Sequence, residues 1–204
     1  VNGALRSELP STEIESGGYA LRWDAELGEL RLYPRSDPGR LLLISEPGRP
    51  FIMGAVGRET VEEQRAHYEI SDARAILCTE QSVDALATDG DSIVLRGQVA
   101  CSDGTRDGYE MRFTPAEGGV DFSIRFSDDS INRTYLTLGS GPEEAFFGFG
   151  EQFTYLNMKG RRVPVFVMEQ GIGRGAQPIT AGADLTAGAG GDACPDAIFT
   201  QLRA

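Results

Sequence analysis

The sequence has very little histidine and cysteine, and this limits the chemistry it can carry. Of 204 residues, one is histidine, His67, and three are cysteines, Cys78, Cys101 and Cys194. A zinc site needs several such ligands, and Ser/His/Asp catalysis needs a histidine beside a nucleophile, whereas His67 lies in the alternating run "AHYEIS". The cysteines are odd in number and lack CxxC spacing, so we expect buried free thiols. No metal and no cofactor are expected.

Long apolar runs and an excess of positive charge are also missing. No apolar stretch reaches the length that spans a membrane, and the opening "VNGALRSELP" lacks the apolar core of a signal peptide. Lys plus Arg number 19 against 31 Asp plus Glu, a net charge of −12 that repels nucleic acid and anionic membranes. These features predict a cytoplasmic protein with neither kind of partner.

Helical periodicity is almost absent, and apolar residues recur at every second position instead. In "GVDFSIRFS", Val120, Phe122, Ile124 and Phe126 are predicted to face the core. The same alternation occurs in "YALRW", "ELRLY", "RLLLIS", "ARAILC", "SIVLRGQVA", "GYEMRFT" and "TYLTL", with glycine-containing turns between several of them. Only "GRETVEEQRA", around Val61 to Ala66, invites a helix. The pattern predicts an all-β, antiparallel β-sandwich.

The composition changes near Gly139, where glycine becomes frequent. Twelve of the 26 glycines lie between Gly139 and Gly191, and the text from Ala181 is rich in Gly and Ala. From about Gly171 onward there are too few large apolar groups to offset ~1–2 kcal/mol of backbone entropy per residue. We therefore predict a sandwich domain over residues 1–170 and a poorly packed Gly/Ala-rich segment over 171–204.

Two short units in this region carry candidate chemistry. "FFGFGEQF" predicts a strand from Ala145 to Phe149 that is followed directly by the carboxylate of Glu151 and by Gln152. The carboxylate is either a surface group on a bulged edge strand or a functional group positioned by the strand end. The other unit, "EQGIGRG", contains Glu169, Gln170 and Arg174.

The glycines of "EQGIGRG" have two interpretations. They form either a flexible loop with a solvated arginine or a nest of backbone N–H groups for an anion, with Arg174 as a further donor. A dinucleotide site is disfavoured because Pro178 prevents the helix that such a motif requires. Glu151 and Glu169 also have the chemistry of a glycosidase pair, which retains configuration at a separation of about 5 Å and inverts it at a wider one.

These residues resemble a known family. "FFGFGEQF" resembles the "GLGE"-type motif that closes the N-terminal β-sandwich of glycoside hydrolase family 31, the α-glucosidase family. The longer text "GFGEQFTYLNMKGRRVPVFVMEQGIGRGAQPIT" is similar to the sulfoquinovosidases of that family, which cleave α-glycosides of the 6-sulfonated glucose sulfoquinovose. The specific resemblance runs from Phe146 to Gly191, and the earlier region matches mainly in strand pattern.

The resemblance implies a galactose-mutarotase-like sandwich packed against a (β/α)₈ barrel that supplies both catalytic aspartates. No position here matches those aspartates, and "DACPDAIFTQLRA" departs from the family text, so we expect a retaining α-glycosidase fragment that ends before the barrel. It further implies that Glu151, Gln152, Glu169, Gln170 and Arg174 belong to a loop lent to the barrel's active-site mouth. The expected partners are that barrel and a carbohydrate, with a sulfonated sugar as one option.

Two other functions remain open at this point. The chain fits a stand-alone carbohydrate-binding module, because β-sandwiches of this size serve that role without catalysis. It also fits a small autonomous hydrolase that uses Glu151 and Glu169 as its two carboxylates. Turnover of an α-sulfoquinovoside or an α-glucoside by the chain alone separates the enzyme from the fragment and the module.

Overall fold

The structure is a computed structural model that describes residues 3–64, 67–148, 156–166 and 197–201. Throughout these ranges the chain forms strands, turns and loops, and no helix. The strands are β1 (Leu5–Ser7), β2 (Thr12–Ser16), β3 (Tyr19–Asp24), β4 (Glu29–Pro34), β5 (Leu43–Ile44), β6 (Ile52–Gln64), β7 (His67–Val83), β8 (Ala85–Asp89), β9 (Ser92–Cys101), β10 (Arg106–Ala116), β11 (Gly119–Phe126), β12 (Arg133–Leu136), β13 (Arg162–Phe166) and β14 (Ala197–Gln201).

The chain divides into two compact units, of which the first comprises residues 1–58 and 73–139. It contains a four-stranded sheet of order β2-β3-β4-β5 and most of a larger sheet of order β11-β10-β9-β7-β6-β12. In the larger sheet β1 lies beside β7 and β8 lies beside β9. The registered pairings in this unit are antiparallel except β1 with β7, which is parallel, with Leu5 opposite Gln81.

The core lies between the two sheets and follows the period-two pattern of the sequence. Alternate side chains of each strand point inward, because successive residues of a strand face opposite sides of the sheet. One buried cluster takes its members from both sheets, among them Leu21, Trp23, Leu30 and Leu32 of the smaller sheet and Ile93, Leu95, Val99, Tyr109, Met111 and Phe113 of the larger one. The predicted all-β sandwich with antiparallel sheets is confirmed.

Two of the predicted glycine turns close hairpins in the larger sheet. Gly90 has φ +58° between β8 and β9, and Gly118 has φ +79° between β10 and β11. Side chains rarely adopt this left-handed backbone, and neither glycine would bring a Cβ within 4 Å of another group. Conformation, rather than space, therefore requires glycine at these two turns.

The helix suggested around Val61 to Ala66 is wrong for its described part, residues 61–64. Strand β6 continues to Gln64 and is a neighbour of β7 in the larger sheet. Glutamate and glutamine favour helices only weakly, by fractions of a kcal/mol per residue. Strand pairing in the sheet therefore outweighs the local preference of residues 61–64.

The inward orientation predicted for β11 is right for three of its four apolar side chains. Val120, Ile124 and Phe126 are partly buried and pack against the core, whereas Phe122 is 51% exposed. Strand β11 lies at the edge of its sheet, with β10 as its neighbour. Phe122 faces the same way as Phe113 opposite it, but at this edge half of its surface stays in water.

The expectation of free thiols is wrong for two of the three cysteines. Cys78 on β7 and Cys101 on β9 lie directly opposite each other and form a disulfide. This pairing could not be predicted from the sequence, because it depends on the register between two strands that are not consecutive along the chain. Cys78 is fully buried, as expected, and Cys194 lies outside the described residues.

The second unit comprises residues 59–72 and 140–204. Its β13 and β14 form an antiparallel pair in which Arg162 lies opposite Gln201 and Phe166 opposite Ala197. The predicted domain boundary at residue 170 falls within 167–196, outside the described residues, and stays a prediction. The described parts of the chain contain no helix long and apolar enough to cross a membrane.

Candidate functional site

All five substrate-loop candidates lie outside the described residues. Glu151 and Gln152 fall within residues 149–155, and Glu169, Gln170 and Arg174 fall within 167–196. The separation of the two carboxyl groups and the role of Arg174 therefore stay predictions. The same holds for the poor packing expected from Gly171 onward, except that 197–201 form the paired strand β14.

The described residues on either side of 149–155 are tied together by backbone and side-chain hydrogen bonds. The amide of Met158 donates to the carbonyl of Phe146 at 2.8 Å. The amides of Phe146 and Lys159 both donate to Oδ1 of Asn157, at 3.1 and 3.0 Å. These contacts bring residue 146 and residues 157–159 together and close the base of the segment that carries Glu151 and Gln152.

Lys159 connects this loop base to a preceding turn. Its Nζ donates to the carbonyl oxygens of Gly141 and Pro142, the latter at 3.0 Å. That turn is closed in addition by Glu144, whose amide donates to the Gly141 carbonyl and whose carboxylate accepts from the Gly141 amide, each at 3.1 Å. By bonding to these two carbonyl oxygens, the ammonium group of Lys159 fixes the path of the chain before Phe146.

The strand expected from Ala145 to Phe149 is wrong for its described part. Residues 145–148 form no strand, because the backbone of Phe146 bonds to Asn157 and Met158 instead of a ladder. Gly148 has φ +99°, a left-handed backbone that glycine adopts readily, and a Cβ at this position would meet no atom within 4 Å. On the two sides of the closed base, Phe147 is 61% and Leu156 is 84% exposed.

The sequence analysis did not identify Asn157 and Lys159 as the residues whose contacts close the base of this loop. The signal that could have found the asparagine is the run "NMKG". Asparagine side chains accept hydrogen bonds from the backbone two residues further on, and the glycine that ends the run, Gly160, has φ +74°. No sequence signal indicates that Lys159 reaches back to Gly141, because that contact depends on how the chain folds between them.

Several charged side chains of the first unit pair with each other. On the larger sheet Arg96 donates to Glu110, and Arg112 donates to Glu110 and Asp89. The hydrogen bond from Arg96, followed by that from Arg112, holds the pKa of Glu110 below its usual range. A carboxylate held ionised in this way is a poor general acid. The described ranges also contain no cluster of three potential His, Cys, Asp or Glu metal ligands.

The architecture defines the class of protein, an antiparallel β-sandwich domain that is followed by a polar, glycine-rich segment. No protein-family model matches the sequence. The chain is 30% identical over 157 residues to the sulfoquinovosidase of Agrobacterium fabrum, a match that covers 75% of this chain and 22% of that protein. It is 44% identical over 72 residues to the sulfoquinovosidase of Escherichia coli K12, covering 34% of this chain and 11% of that one.

The structure is also similar to that of a GH31 family sulfoquinovosidase from E. rectale in complex with the aza-sugar inhibitor IFGSQ. The TM-score is 0.52 at 25% sequence identity, over 80% of this chain and 23% of that one. Sulfoquinovosidase-like sequence and structure thus extend over most of this chain, which is a β-sandwich related to glycoside hydrolase family 31. The chain spans about a fifth of the Agrobacterium relative and of the solved structure.

Proposed function

We propose that this chain is the N-terminal β-sandwich module of a retaining, sulfoquinovosidase-like α-glycosidase, inactive by itself. The carrying observation is the 30% identity to the Agrobacterium sulfoquinovosidase over 157 residues, a match that covers 75% of this chain. The structural similarity to the E. rectale enzyme supports the same assignment. In this proposal the catalytic aspartates come from a (β/α)₈ barrel, the module's partner, and the module acts in the cytoplasm.

The module's contribution to catalysis is the loop that carries the five candidate residues. Asn157 and Lys159 close the base of the segment with Glu151 and Gln152, so that this segment leaves a fixed point. Glu169, Gln170 and Arg174 would follow β13 toward the mouth of the barrel. Their amide, carboxylate and guanidinium groups are hydrogen-bonding partners for sugar hydroxyls, and the guanidinium suits a sulfonate in addition.

The test replaces the matching part of the Agrobacterium sulfoquinovosidase with this chain and measures turnover of an α-sulfoquinovoside and of an α-glucoside. We expect the isolated chain to turn over neither substrate and the chimera to turn over the sulfoquinovoside. In the chimera, Glu169→Gln and Arg174→Gln are expected to raise KM or lower kcat. Glu143→Gln, an exposed residue of the same unit, serves as the matched control and leaves both constants unchanged.

Two results would count against the proposal, and a third would count against the lent loop alone. Turnover by the isolated chain that is lost in Glu151→Gln would favour the autonomous hydrolase. Saturable sugar binding by the isolated chain, together with an inactive but folded chimera, would favour the carbohydrate-binding module. A folded chimera as active as the relative, and unaffected by substitution of all five candidates, would support the module's structural role and reject the lent loop.

A further inference from the structure

The disulfide between Cys78 and Cys101 lies where strand β7 loses its neighbour β9. Cys101 is the last residue of β9, and β7 continues for eleven residues on the other side of Cys78, from His67 to Leu77. The register between the two strands shifts at a bulge between Cys78 and Glu80. The bond therefore joins the strands at the outermost pair of their ladder, next to an irregularity.

Beyond this bulge, two hydrogen bonds among the described residues join β7 to the residue that follows β9. The amide of Ser102 donates to the Leu77 carbonyl at 2.8 Å, and the amide of Leu77 donates to Oγ of Ser102 at 3.1 Å. Residues 73–75 of β7 are exposed on their way to this point. Backbone pairs at the end of a ladder open more readily than those inside it. Without the disulfide, these two hydrogen bonds between Leu77 and Ser102 would hold this end of β7 beside the end of β9.

The two cysteines differ in exposure to solvent. Cys78 is fully buried in the core cluster, whereas Cys101 is only partly buried and packs against that cluster. A thiolate from solvent can therefore reach Cys101 first. The sulfur that leaves, that of Cys78, remains in an apolar site that suits a neutral thiol.

The core extends well beyond the disulfide. The buried cluster has fourteen members, of which Cys78 alone belongs to the disulfide, and a chain of about 200 residues buries enough surface to fold without cross-links. We propose that the Cys78–Cys101 bond is a redox-responsive clasp. A dithiol reductant opens it in the folded protein, and opening frees Ile76–Cys78 from the end of β9 while the sandwich persists.

The reaction is a thiol–disulfide exchange in two steps. A thiolate of the reductant attacks Sγ of Cys101, and the electron pair of the broken S–S bond goes to Sγ of Cys78, which takes up a proton. The second thiol of the reductant then attacks the mixed disulfide and releases Cys101, which is protonated in turn. Two electrons and two protons pass to the cysteine pair, and the dithiol becomes a disulfide.

The test uses the Cys194→Ser chain, in which the clasp cysteines are the only ones, with dithiothreitol as the reductant. We expect no alkylatable thiols after oxidation and two after treatment without denaturant, with the fluorescence of Trp23 unchanged. Hydrogen exchange at residues 76–78 and 101–105 is expected to become at least about tenfold faster, the change that corresponds to 1.4 kcal/mol. Exchange in β10 and β11 should stay the same, and reoxidation should restore the original rates.

Cys101→Ser in the same background provides the permanently open clasp. It should exchange like the reduced chain and be unaffected by dithiothreitol. The proposal is overturned by two free thiols in the oxidised chain, by resistance to dithiothreitol in the absence of denaturant, or by loss of the Trp23 signal on reduction. Unchanged exchange at residues 76–78 after complete reduction would also reject it, and each of these results is available from the Cys194→Ser chain alone.

Discussion

Among single residues, Gly97 shows how closely the strands of the larger sheet approach one another. A Cβ at this position would lie 1.9 Å from the carbonyl oxygen of Ser82 and 2.7 Å from the hydroxyl of Tyr109. Neither neighbour can give way freely, because the tyrosine hydroxyl itself donates to that carbonyl at 2.8 Å. Glycine is required here by space and not by an unusual backbone conformation.

We expect Gly97→Ala to lower the free energy of unfolding by about 1–3 kcal/mol, the usual cost of overpacking a well-packed interior. Urea denaturation followed by fluorescence measures the change. The matched control is Gly119→Ala, because a Cβ at Gly119 would meet no atom within 4 Å and its φ is not in the left-handed region. Equal stability of the two variants would contradict the close approach at Gly97.

A second residue-scale feature is the buried network of Gln81 and Tyr109. Oε1 of Gln81 accepts from the amides of Phe51 and Ile52 at 2.8 and 3.2 Å, and its Nε2 donates to the Tyr109 hydroxyl at 2.8 Å. Burial raises the pKa of Tyr109 above its ordinary value of 10.0. The folded protein therefore disfavours the ionised form of Tyr109. The neutral side chain contributes fully to the free energy of unfolding only below pH 10.0.

This network predicts a loss of stability in alkali. The contribution of Tyr109 is present below pH 10.0, its unfolded pKa, and falls as the pH rises toward the higher folded pKa. The free energy of unfolding should therefore drop more steeply above pH about 10 in the natural chain than in Tyr109→Phe. Below that pH, Tyr109→Phe should itself cost about 1–3 kcal/mol because it leaves buried partners unsatisfied. Parallel pH curves would refute the assignment.

At the scale of elements, the edge position of β11 decides how much each apolar side chain contributes. Ile124 lies opposite the fully buried Met111 and is itself partly buried, whereas Phe122 is half exposed. We expect Ile124→Asp to destabilise the protein more than Phe122→Asp, since a buried charge without a partner costs more than one in water. Ser123→Asp, on the opposite face, should be nearly silent. Thermal unfolding of the three variants gives the order.

Most strands could be predicted from the sequence because their inward and outward residues alternate. The alternation in "YALRW", "SIVLRGQVA" and "GYEMRFT" predicts strands where the structure has β3, β9 and β10. Two outcomes could not be predicted in this way. The disulfide and the exposure of Phe122 depend on which strands are neighbours, and alternation within one strand carries no information about its neighbours.

The candidate site was predictable only to the level of motifs. The text from Phe146 to Thr180 indicated a segment unlike the sandwich, and the role of its candidate residues stays a prediction. The contacts of Asn157 and Lys159 were missed because they join segments up to 18 residues apart. Such contacts depend on the path of the chain and not on local pattern.

At the largest scale, the buried cluster that the two sheets of the first unit share implies that they unfold together. Trp23, the only tryptophan, lies in the smaller sheet and is 1% exposed, and its Nε1 donates to the carbonyl of Leu9 at 3.3 Å. We expect Trp23 fluorescence and far-ultraviolet circular dichroism to report one coincident urea transition.

Leu32→Ala in the smaller sheet and Leu95→Ala in the larger one should each shift both signals equally, by about 2–5 kcal/mol. Both leucines are buried members of the same cluster, so either cavity weakens the contact between the sheets. If Leu32→Ala moved the fluorescence transition alone, the two sheets would be independent folding units.

The parallel pairing of β1 with β7 also affects the order in which the protein is completed during synthesis. Ser7 donates through its hydroxyl to the carbonyl of Val83, 76 residues further along the chain. During synthesis, β1 therefore lacks this partner until the chain has reached Val83. Closing so long a loop is slow because its entropy is lost before the contact is gained. The attachment of β1 to β7 is thus a late step in the folding of the larger sheet.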